Sequence, residues 1–421
     1  MSRQRLPRTV IALSLVSLLT DVSSEMIYPL VPLFLTTVIG AGALTLGAIE
    51  GTAETVASLL KFASGWWSDR LGRRKALVTV GYLISSVLRP LTGLATSAAH
   101  VFAIRVGDRI GKGIRTSPRD AILADAVEPA VRGRAFGFHQ SADHLGAVIG
   151  PCIAFALLQW ADVALRTVFL LAAIPAAGAV AVLVFLVREE PAGRRMREGK
   201  EGDARESSPK ARGGVPPGAT PPAPPMDQTM QLAQARLGGR FYAYIGVVLL
   251  FTLGNSTDAF LLLRARDLGV SAALIPILWA AFHVVKSLTA TPAGALSDRV
   301  GRRSLIVGGW LVYAAVYLGF AHADGQGLAW ALFLLYGVYF GLTEGVQKAL
   351  VADLVPPVAR GRAFGWYNLA LGLGALPASL LFGVVWDRRG APAAFTLGSA
   401  IAGLAALLML LTVPRRVVAK V

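Results

Sequence analysis

The chain contains a series of apolar stretches that are each about as long as a helix crossing a lipid bilayer. A helix needs roughly 20 apolar residues to cross the hydrocarbon core. Along the 421 residues, such windows occupy 9–38, 44–67, 76–96, 100–123, 135–159, 165–187, 241–263, 272–296, 305–322, 329–352, 363–386 and 392–413. Because a helix satisfies its own backbone hydrogen bonds in lipid, we expect an all-α membrane protein with twelve transmembrane helices.

Composition argues against the main soluble classes of protein. Hydrophobic residues make up 54% of the chain and charged residues only 16%, whereas soluble domains carry about 25% charged residues. Cys152 is the single cysteine, so an intrachain disulfide is impossible. The sequence has neither a P-loop nor a G-x-S-x-G nucleophile motif. We therefore expect no ATP-driven pump, no enzyme and no cofactor.

The basic residues predict the orientation of the chain in the membrane. The formal net charge is +16, which in a soluble protein would suggest a nucleic-acid partner. Most of the Lys and Arg residues, however, lie in segments that would share one face: Arg3, Arg5, Arg8, Arg70, Arg73, Arg74, Lys75, Arg132, Arg134, those of 188–240, Arg299, Arg302, Arg303, Arg360, Arg362, Arg415, Arg416 and Lys420. This distribution follows the positive-inside rule. We expect a plasma membrane of the bacterial cytoplasmic type, both termini in the cytoplasm, and no bound nucleic acid.

Residues 188–239 interrupt the series of apolar stretches. They are rich in charge and then in proline (GGVPPGATPPAPP), with few large apolar side chains. Such a segment cannot bury enough surface to fold. We expect a disordered cytoplasmic linker that tethers a first six-helix half, residues 1–187, to a second, residues 240–421; a docking site for a regulator is the alternative.

Two motifs recur in the second half at nearly the same offset. GWWSDRLGRRK at 65–75 matches GALSDRVGRRS at 294–304, and ADAVEPAVRGRAFGF at 124–138 matches ADLVPPVARGRAFGW at 352–366. The offsets are 229 and 228 residues. The halves are therefore duplicates, and parallel repeats of this kind are one of the known transporter plans. We expect two pseudo-symmetric six-helix halves.

The repeated loop G-x-x-x-D-R-x-G-R-R resembles the signature loop of the major facilitator superfamily, and the resemblance extends over essentially the whole chain. It implies that the loop's charged residues join the two halves on the cytoplasmic side, with carboxylates at nearby helix ends as partners. The residues that would form this gate are Gly65, Asp69, Arg70, Gly72, Arg73, Asp125, Asp298, Arg302 and Asp353. A carboxylate and a guanidinium can form a breakable, charge-assisted pair.

The fifth apolar stretch resembles the antiporter motif of the same superfamily, G-x8-G-x3-G-P-x2-G-G. It has Gly137, Gly146, Gly150 and Pro151 at the motif's spacing, while the final glycine pair is replaced by Ala154-Phe155. The resemblance implies a proton-coupled exporter. The alternative is a generic seam of small residues that allows two membrane helices to pack closely.

The fourth apolar stretch contains RIGKG at 109–113, which is similar to the family motif R-x-x-Q-G with Lys112 in place of Gln. The resemblance implies that Arg109 senses the protonation of a nearby carboxylate.

Ionisable side chains inside the apolar stretches point to a central cavity. Each costs about 2.5–3.5 kcal/mol on insertion scales and normally faces a partner or water. At helical spacing they fall on common faces. The candidates for proton coupling are Asp21, Glu25, Glu50, Glu54, Asp108 and Arg109, and those for the substrate cavity are Tyr28, Arg105, Lys112, His139, Gln140, Asp143, His283, Tyr336, Tyr339, Glu344 and Asn368. The alternative for any one carboxylate is a static ion pair, for example with Lys61 or Arg105.

We therefore expect a monomeric secondary-active transporter in the lipid bilayer. The leading hypothesis is a proton-coupled exporter of a small organic solute that works by rocker-switch alternating access. A second hypothesis is an exporter of divalent metal cations, because His139, Asp143 and His144 have the side-chain types that bind transition metals. A third is a membrane sensor or scaffold that transports nothing.

Overall fold

The computed structural model describes residues 6–71, 74–127, 132–187, 237–355 and 359–413. The first half consists of α1 (Arg8–Val38), α2 (Ala43–Leu71), α3 (Arg74–Leu94), α4 (Ala98–Asp125), α5 (Arg132–Gln159) and α6 (Leu165–Leu186). The second consists of α7 (Gly239–Asp267), α8 (Ile275–Val300), α9 (Arg302–His322), α10 (Gln326–Asp353), α11 (Arg360–Arg389) and α12 (Ala391–Thr412). The prediction of an all-helical protein with twelve spans is confirmed. Most of the expected linker lies outside the described residues.

Helices α2, α4 and α8 differ from the others in polarity. Across the described ranges, the nine other helices are long and apolar enough to cross a membrane by themselves. The three exceptions contain many of the ionisable residues identified above, and their membrane position depends on being packed among the apolar helices. Polarity therefore marks the helices that enclose the interior of the molecule.

Helices α1 and α7 are irregular in their second halves. After Ile27, α1 continues through a 3-10 turn at Tyr28–Leu30 and a wide π-type turn at Phe34–Val38. Pro29 and Pro32 explain this departure, because proline removes a backbone donor and clashes with the preceding turn. Helix α7 is interrupted between Gly254 and Ala259.

The two halves have the same internal packing. Helix α1 packs against α5 and α6, α2 against α4, and α3 against α4; six helices later α7 packs against α11 and α12, α8 against α10, and α9 against α10. Between the halves, α2 packs along α11 and α8 packs along α5. Each of these contacts has its counterpart in the other half, as expected for a pseudo-two-fold axis between duplicated units.

We call the face on which α1 begins and α12 ends the terminal face, and the opposite one the distal face. The α2–α11 seam is tight from the distal face to the middle of the membrane. A Cβ on Gly383 would lie 2.7 Å from the Leu44 Cα atom, and one on Gly51 would lie 2.9 Å from the Leu376 Cα atom. Near the middle, the Thr55 hydroxyl donates a hydrogen bond of 2.7 Å to the Gly372 carbonyl.

At the distal face, a carboxylate of one half caps a helix of the other. Asp387, near the end of α11, accepts hydrogen bonds from the backbone N–H groups of Ala43 (3.0 Å) and Leu44 (2.9 Å), where α2 begins. These N–H groups have no partner within their own helix, and the helix dipole favours a negative charge there. The cap therefore holds the halves together on the distal side.

The same seam is wider toward the terminal face. Phe62 of α2 lies beside Gly365 of α11 and yet has 73% of its surface exposed. Where both partners are described residues, every hydrogen bond between the halves lies at the distal face or near the middle of the membrane. Among the described residues, the contacts between the halves are thus close on the distal side and looser toward the terminal face.

We expect Asp387→Ala to shift the conformational equilibrium toward opening of the distal face. Loss of an N-cap costs about 1 kcal/mol, so the shift should be roughly fivefold. The measurement is the distance distribution between spin labels at Ala161→Cys and Gln326→Cys, two exposed distal positions, in a Cys152→Ser background.

Asp267→Ala is the matched control. It removes the same charge from an exposed distal carboxylate that accepts no hydrogen bond from any described residue. Equal distance distributions in both variants would contradict the assignment of the cap.

Candidate functional site

Two buried ion pairs connect α4 to its neighbours in the first half. Arg105 binds Glu50 of α2 through two hydrogen bonds, of 2.8 Å from Nε and 2.6 Å from Nη2. Asp108 accepts a hydrogen bond of 2.9 Å from Arg89 of α3. All four side chains are at most 5% exposed. Glu50 and Asp108 therefore lie in the static pairs that the sequence left open as the alternative to a role in proton coupling.

Arg89 was not among the residues selected from the sequence. It also donates a hydrogen bond of 3.0 Å to the Thr20 carbonyl of α1, so it joins three helices. The signal was present, because Arg89 is an ionisable residue within the apolar window 76–96. The same criterion that selected α4 residues would have found it.

Asp21 and Glu25 lie on α1 where α5 packs most closely against it. A Cβ on Gly146 would be 2.6 Å from the Leu18 carbonyl oxygen and 2.9 Å from the Asp21 Cβ. One on Gly150 would be 2.6 Å from the Val22 carbonyl oxygen and 3.1 Å from the Glu25 Cβ. The glycines of the antiporter-like motif thus lie directly behind the two carboxylates. Pro151 follows them in α5, and the surroundings of Gly137 lie outside the described contacts.

The two carboxylates have different partners. Glu25 Oε2 accepts a hydrogen bond of 2.6 Å from the indole N–H of Trp279 on α8, and Oε1 accepts one of 3.2 Å from Ser24. Asp21 has no side-chain hydrogen bond or ion pair with any described residue, and it interacts electrostatically with Asp143, Glu25, Lys112 and Arg115. Trp279 was also missed from the sequence, although it precedes His283 by one helical turn.

Arg109 and Lys112 are cations without an anionic partner. Neither forms an ion pair with a described residue, and the buried Nε of Arg109 has no hydrogen-bond acceptor there. Their charges act on Glu54, which is 48% exposed and lies 3.9 Å from Lys61. The Tyr28 ring contacts residues of both halves: it lies 5.4 Å from the guanidinium of Arg105 and 5.2 Å from the ring of Trp279. Asp21, Arg109 and Lys112 are therefore charged groups without an ion-pair partner among the described residues.

The residues of the metal hypothesis do not form a metal site. His139 Nε2 is 3.8 Å from Asp143 Oδ1, and both ring nitrogens of His139 are buried without a hydrogen-bond partner. Gln140 Nε2 is 3.4 Å from His144 Nε2. In the part of the chain that the structure describes, no group of three or more His, Cys, Asp and Glu side chains could hold a metal ion. The metal hypothesis gains no support from these residues.

The second half contributes fewer charges and an aromatic cluster. The Tyr336 hydroxyl donates a hydrogen bond of 2.6 Å to Asp258, and Lys286 lies 2.8 Å from Glu344. The His283 ring lies 4.9 Å from that of Trp279, and neither of its nitrogens has a described partner. Tyr339 belongs to the aromatic cluster, 5.5 Å from Tyr336, while Asn368 is exposed.

Most of the predicted gating loop cannot be compared with the structure. The side chains of Gly65, Asp69, Arg70, Asp125 and Asp298, and all of Gly72 and Arg73, lie outside the described residues. In the second half, the Arg302 Nε atom contacts Asp353 Oδ2, and its Nη1 donates a hydrogen bond of 3.1 Å to Ser297. This contact joins the start of α9 to the end of α10; a gating role stays a prediction.

We expect Glu50→Ala to destabilise the protein strongly, because it leaves the buried Arg105 without its carboxylate. Removing one partner of a buried pair costs about 3–5 kcal/mol. The measurement is the thermal midpoint of the purified protein in detergent. Glu54→Ala is the control: its pair with Lys61 is long and exposed, and such pairs contribute about 0–1 kcal/mol. Equal losses in both variants would contradict the ranking of the two pairs.

We expect Gly150→Ala to separate α5 from α1, because the new methyl group would overlap the Val22 carbonyl oxygen. Overpacking of this kind costs about 1–3 kcal/mol. Gly246→Ala on α7 is the control, since no described heavy atom lies within 4 Å of its Cβ position. The control should be neutral or slightly stabilising, as alanine favours a helix over glycine. Thermal unfolding of both variants distinguishes these results, and an unchanged midpoint for Gly150→Ala would rule out the close seam.

The chain is similar in sequence to known membrane transporters. The model of the major facilitator superfamily matches residues 13–261 and 243–421. An uncharacterised MFS-type transporter of Methanocaldococcus jannaschii is 32% identical over 414 residues, which are 97% of this chain and 95% of the relative. The multidrug resistance protein MdtH of Cronobacter sakazakii is 29% identical over 151 residues, which are 36% and 38% of the two chains.

Among solved structures, a D-xylose-proton symporter superposes with a TM-score of 0.73 at 18% identity, covering 97% of this chain and 98% of the other. At this identity the likeness concerns the fold, and it agrees with the two six-helix halves described above. The resemblance noted in the loop motifs is confirmed by the family model. The chain therefore belongs to the major facilitator superfamily of membrane transporters.

Proposed function

We propose that this transporter is secondary-active and exports a small organic solute in exchange for protons, by rocker-switch alternating access. The observation that carries the proposal is the position of Asp21 and Glu25 in the middle of α1. Both lie against the glycine seam of α5 that resembles the antiporter motif. An exchanger needs carboxylates that take up and release a proton within reach of the solute.

The unpaired cations of α4 support the same proposal. Arg109 and Lys112 have no ion-pair partner among the described residues, yet both interact electrostatically with Glu54, and Lys112 also interacts with Asp21. A cation in this situation experiences any change in the charge of its neighbours. Arg109 is therefore well suited to sense protonation, as the resemblance of RIGKG implies. The similarity to a multidrug resistance protein, 29% identity over about a third of the chain, also favours export.

In this proposal the terminal face is cytoplasmic, with both termini and the 188–239 linker on that side, and the protein acts as a monomer in a bacterial plasma membrane. The positive-inside bias of the sequence supports the orientation. A protein closed on the distal side and open on the terminal side is then ready to receive a solute from the cytoplasm. Tilting the halves about the α2–α11 and α5–α8 seams would expose the same cavity to the outside.

We expect Asp21→Asn and Glu25→Gln to uncouple transport from the pH gradient, because an amide cannot bind and release the proton. Proton movement driven by the solute should fall by about tenfold or more in proteoliposomes that report internal pH, tested with a panel of organic solutes. Asp324→Asn is the control, since it removes an exposed carboxylate of the distal loop between α9 and α10.

The outcomes separate the three hypotheses. Unchanged gradient dependence in both variants would refute the assignment of Asp21 and Glu25. A proton signal with Ni²⁺, Co²⁺, Zn²⁺ or Fe²⁺ alone, lost in His139→Ala and Asp143→Ala, would replace the organic solute by a metal cation. The absence of proton movement with every solute and ion tested would favour the hypothesis of a sensor or scaffold.

A further inference from the structure

The hydrogen bond between Trp279 and Glu25 joins the two halves inside the membrane. We propose that Trp279 is a coupling residue, whose N–H group holds the distal side closed while Glu25 is charged and the cavity is empty. This inference rests on the proton exchange proposed above. In this inference the proton binds to Glu25 in the first half, and Trp279 in the second half responds to it.

The geometry keeps the indole in place. Trp279 belongs to α8 and is 4% exposed, and its Nε1 lies 2.6 Å from Glu25 Oε2 on α1. Its ring lies 5.0 Å from that of Phe282 on the same helix and 6.3 Å from that of Phe333 on α10. These contacts hold the indole to the second half, so it cannot follow Glu25 if α1 and α8 separate. Opening the distal side requires this hydrogen bond to break.

The strength of the bond depends on the charge of Glu25. An indole N–H can only donate, so the carboxylate must accept. Hydrogen bonds to an ionised acceptor are roughly twice as strong as those between neutral groups. Protonation of Glu25 therefore weakens the contact that closes the distal side, and release of the proton restores it.

Other charged groups around Glu25 set the local field. The groups that interact electrostatically with it or its neighbour Asp21 are Asp143 on α5, Lys112 and Arg115 on α4, and Asp258 on α7. His283 of α8 lies beside the Trp279 ring, at 4.9 Å. Helix α6 contributes Arg166, whose guanidinium is bound to the carbonyls of Gly93 and Ala95 at the distal end. None of these groups accepts the Trp279 N–H, so the contact reports on Glu25 itself.

The location of this contact suits exchange better than cotransport. An exchanger must not switch between its two open states while its site holds neither solute nor proton. Each such switch lets solute or protons move without exchange and wastes the gradient. A cotransporter must do the opposite, since its empty form has to return. A bond that holds the empty, charged form closed on one side prevents slip in the first case and would slow the cycle in the second.

Trp279→Phe tests the proposal, because it keeps an aromatic ring and removes the N–H group. Trp310→Phe is the matched control: Trp310 is also buried, stacks on Phe251 at 4.4 Å, and its N–H has no described partner. The first readout is the distance distribution between labels at Ala161→Cys and Gln326→Cys, without solute, at acidic and alkaline pH. The second is the proton leak of proteoliposomes without solute.

We expect the wild-type protein to be more closed on the distal side at alkaline pH than at acidic pH. Trp279→Phe should reduce this pH response and raise the solute-independent proton leak, each by up to about tenfold. Trp310→Phe should behave like wild type. In a Glu25→Gln background, Trp279→Phe should leave the pH response of the distances unchanged, because the amide oxygen still accepts the N–H but binds no proton in this pH range.

The proposal is overturned if Trp279→Phe matches wild type in both readouts, if Trp310→Phe has the same effect, or if the effect persists fully in Glu25→Gln. Failure of the export proposal would look different: no organic solute would drive proton movement in wild type, while the distances still responded to pH and to Trp279→Phe.

Discussion

The cost of placing charge inside a bilayer is the constraint on which the rest of this structure depends. Helix α4 carries charges of both signs through the membrane, and α2 and α3 each supply a group of opposite sign to one of them. Glu50 neutralises Arg105, and Asp108 neutralises Arg89, in pairs that are almost fully buried. Such pairs fix the relative positions of three helices. Asp21, Arg109 and Lys112 form no ion pair with a described residue, and they are the charges that the proposed exchange would use.

Glycine determines where the helices that bear these charges can meet. On α5, Gly146 and Gly150 bring the backbone of α1 into contact behind Asp21 and Glu25; on α2, Gly51 does the same for α11. Even a methyl group at these positions would overlap the facing backbone and push the helices apart. The carboxylates of α1 are thus held at a fixed depth, facing α8 of the other half, where Trp279 reaches one of them.

The sequence predicted the helices and the duplicated halves well, because membrane thickness sets span length and the repeated loops set the register. It could not determine pairing. Whether Glu50 binds Arg105 or Lys61 depends on helix rotation, which spacing within one helix leaves undetermined. Trp279 and Asp387 were missed for a related reason, because each contacts a helix distant in the chain. Arg89 contacts the neighbouring helix α4, and its charge within an apolar window would have identified it.

The two seams between the halves are closed on the distal side by different chemistry. The α2–α11 seam ends in a carboxylate, Asp387, on backbone N–H groups at the surface, far from the cavity. At the other seam, α8 reaches α1 through Glu25, a carboxylate in the middle of α1. In the proposed exchange, a change in the charge of Glu25 would act directly on this seam and leave the cap of the other intact. The pseudo-symmetry of the fold is in this way compatible with the asymmetric response to a proton that we propose.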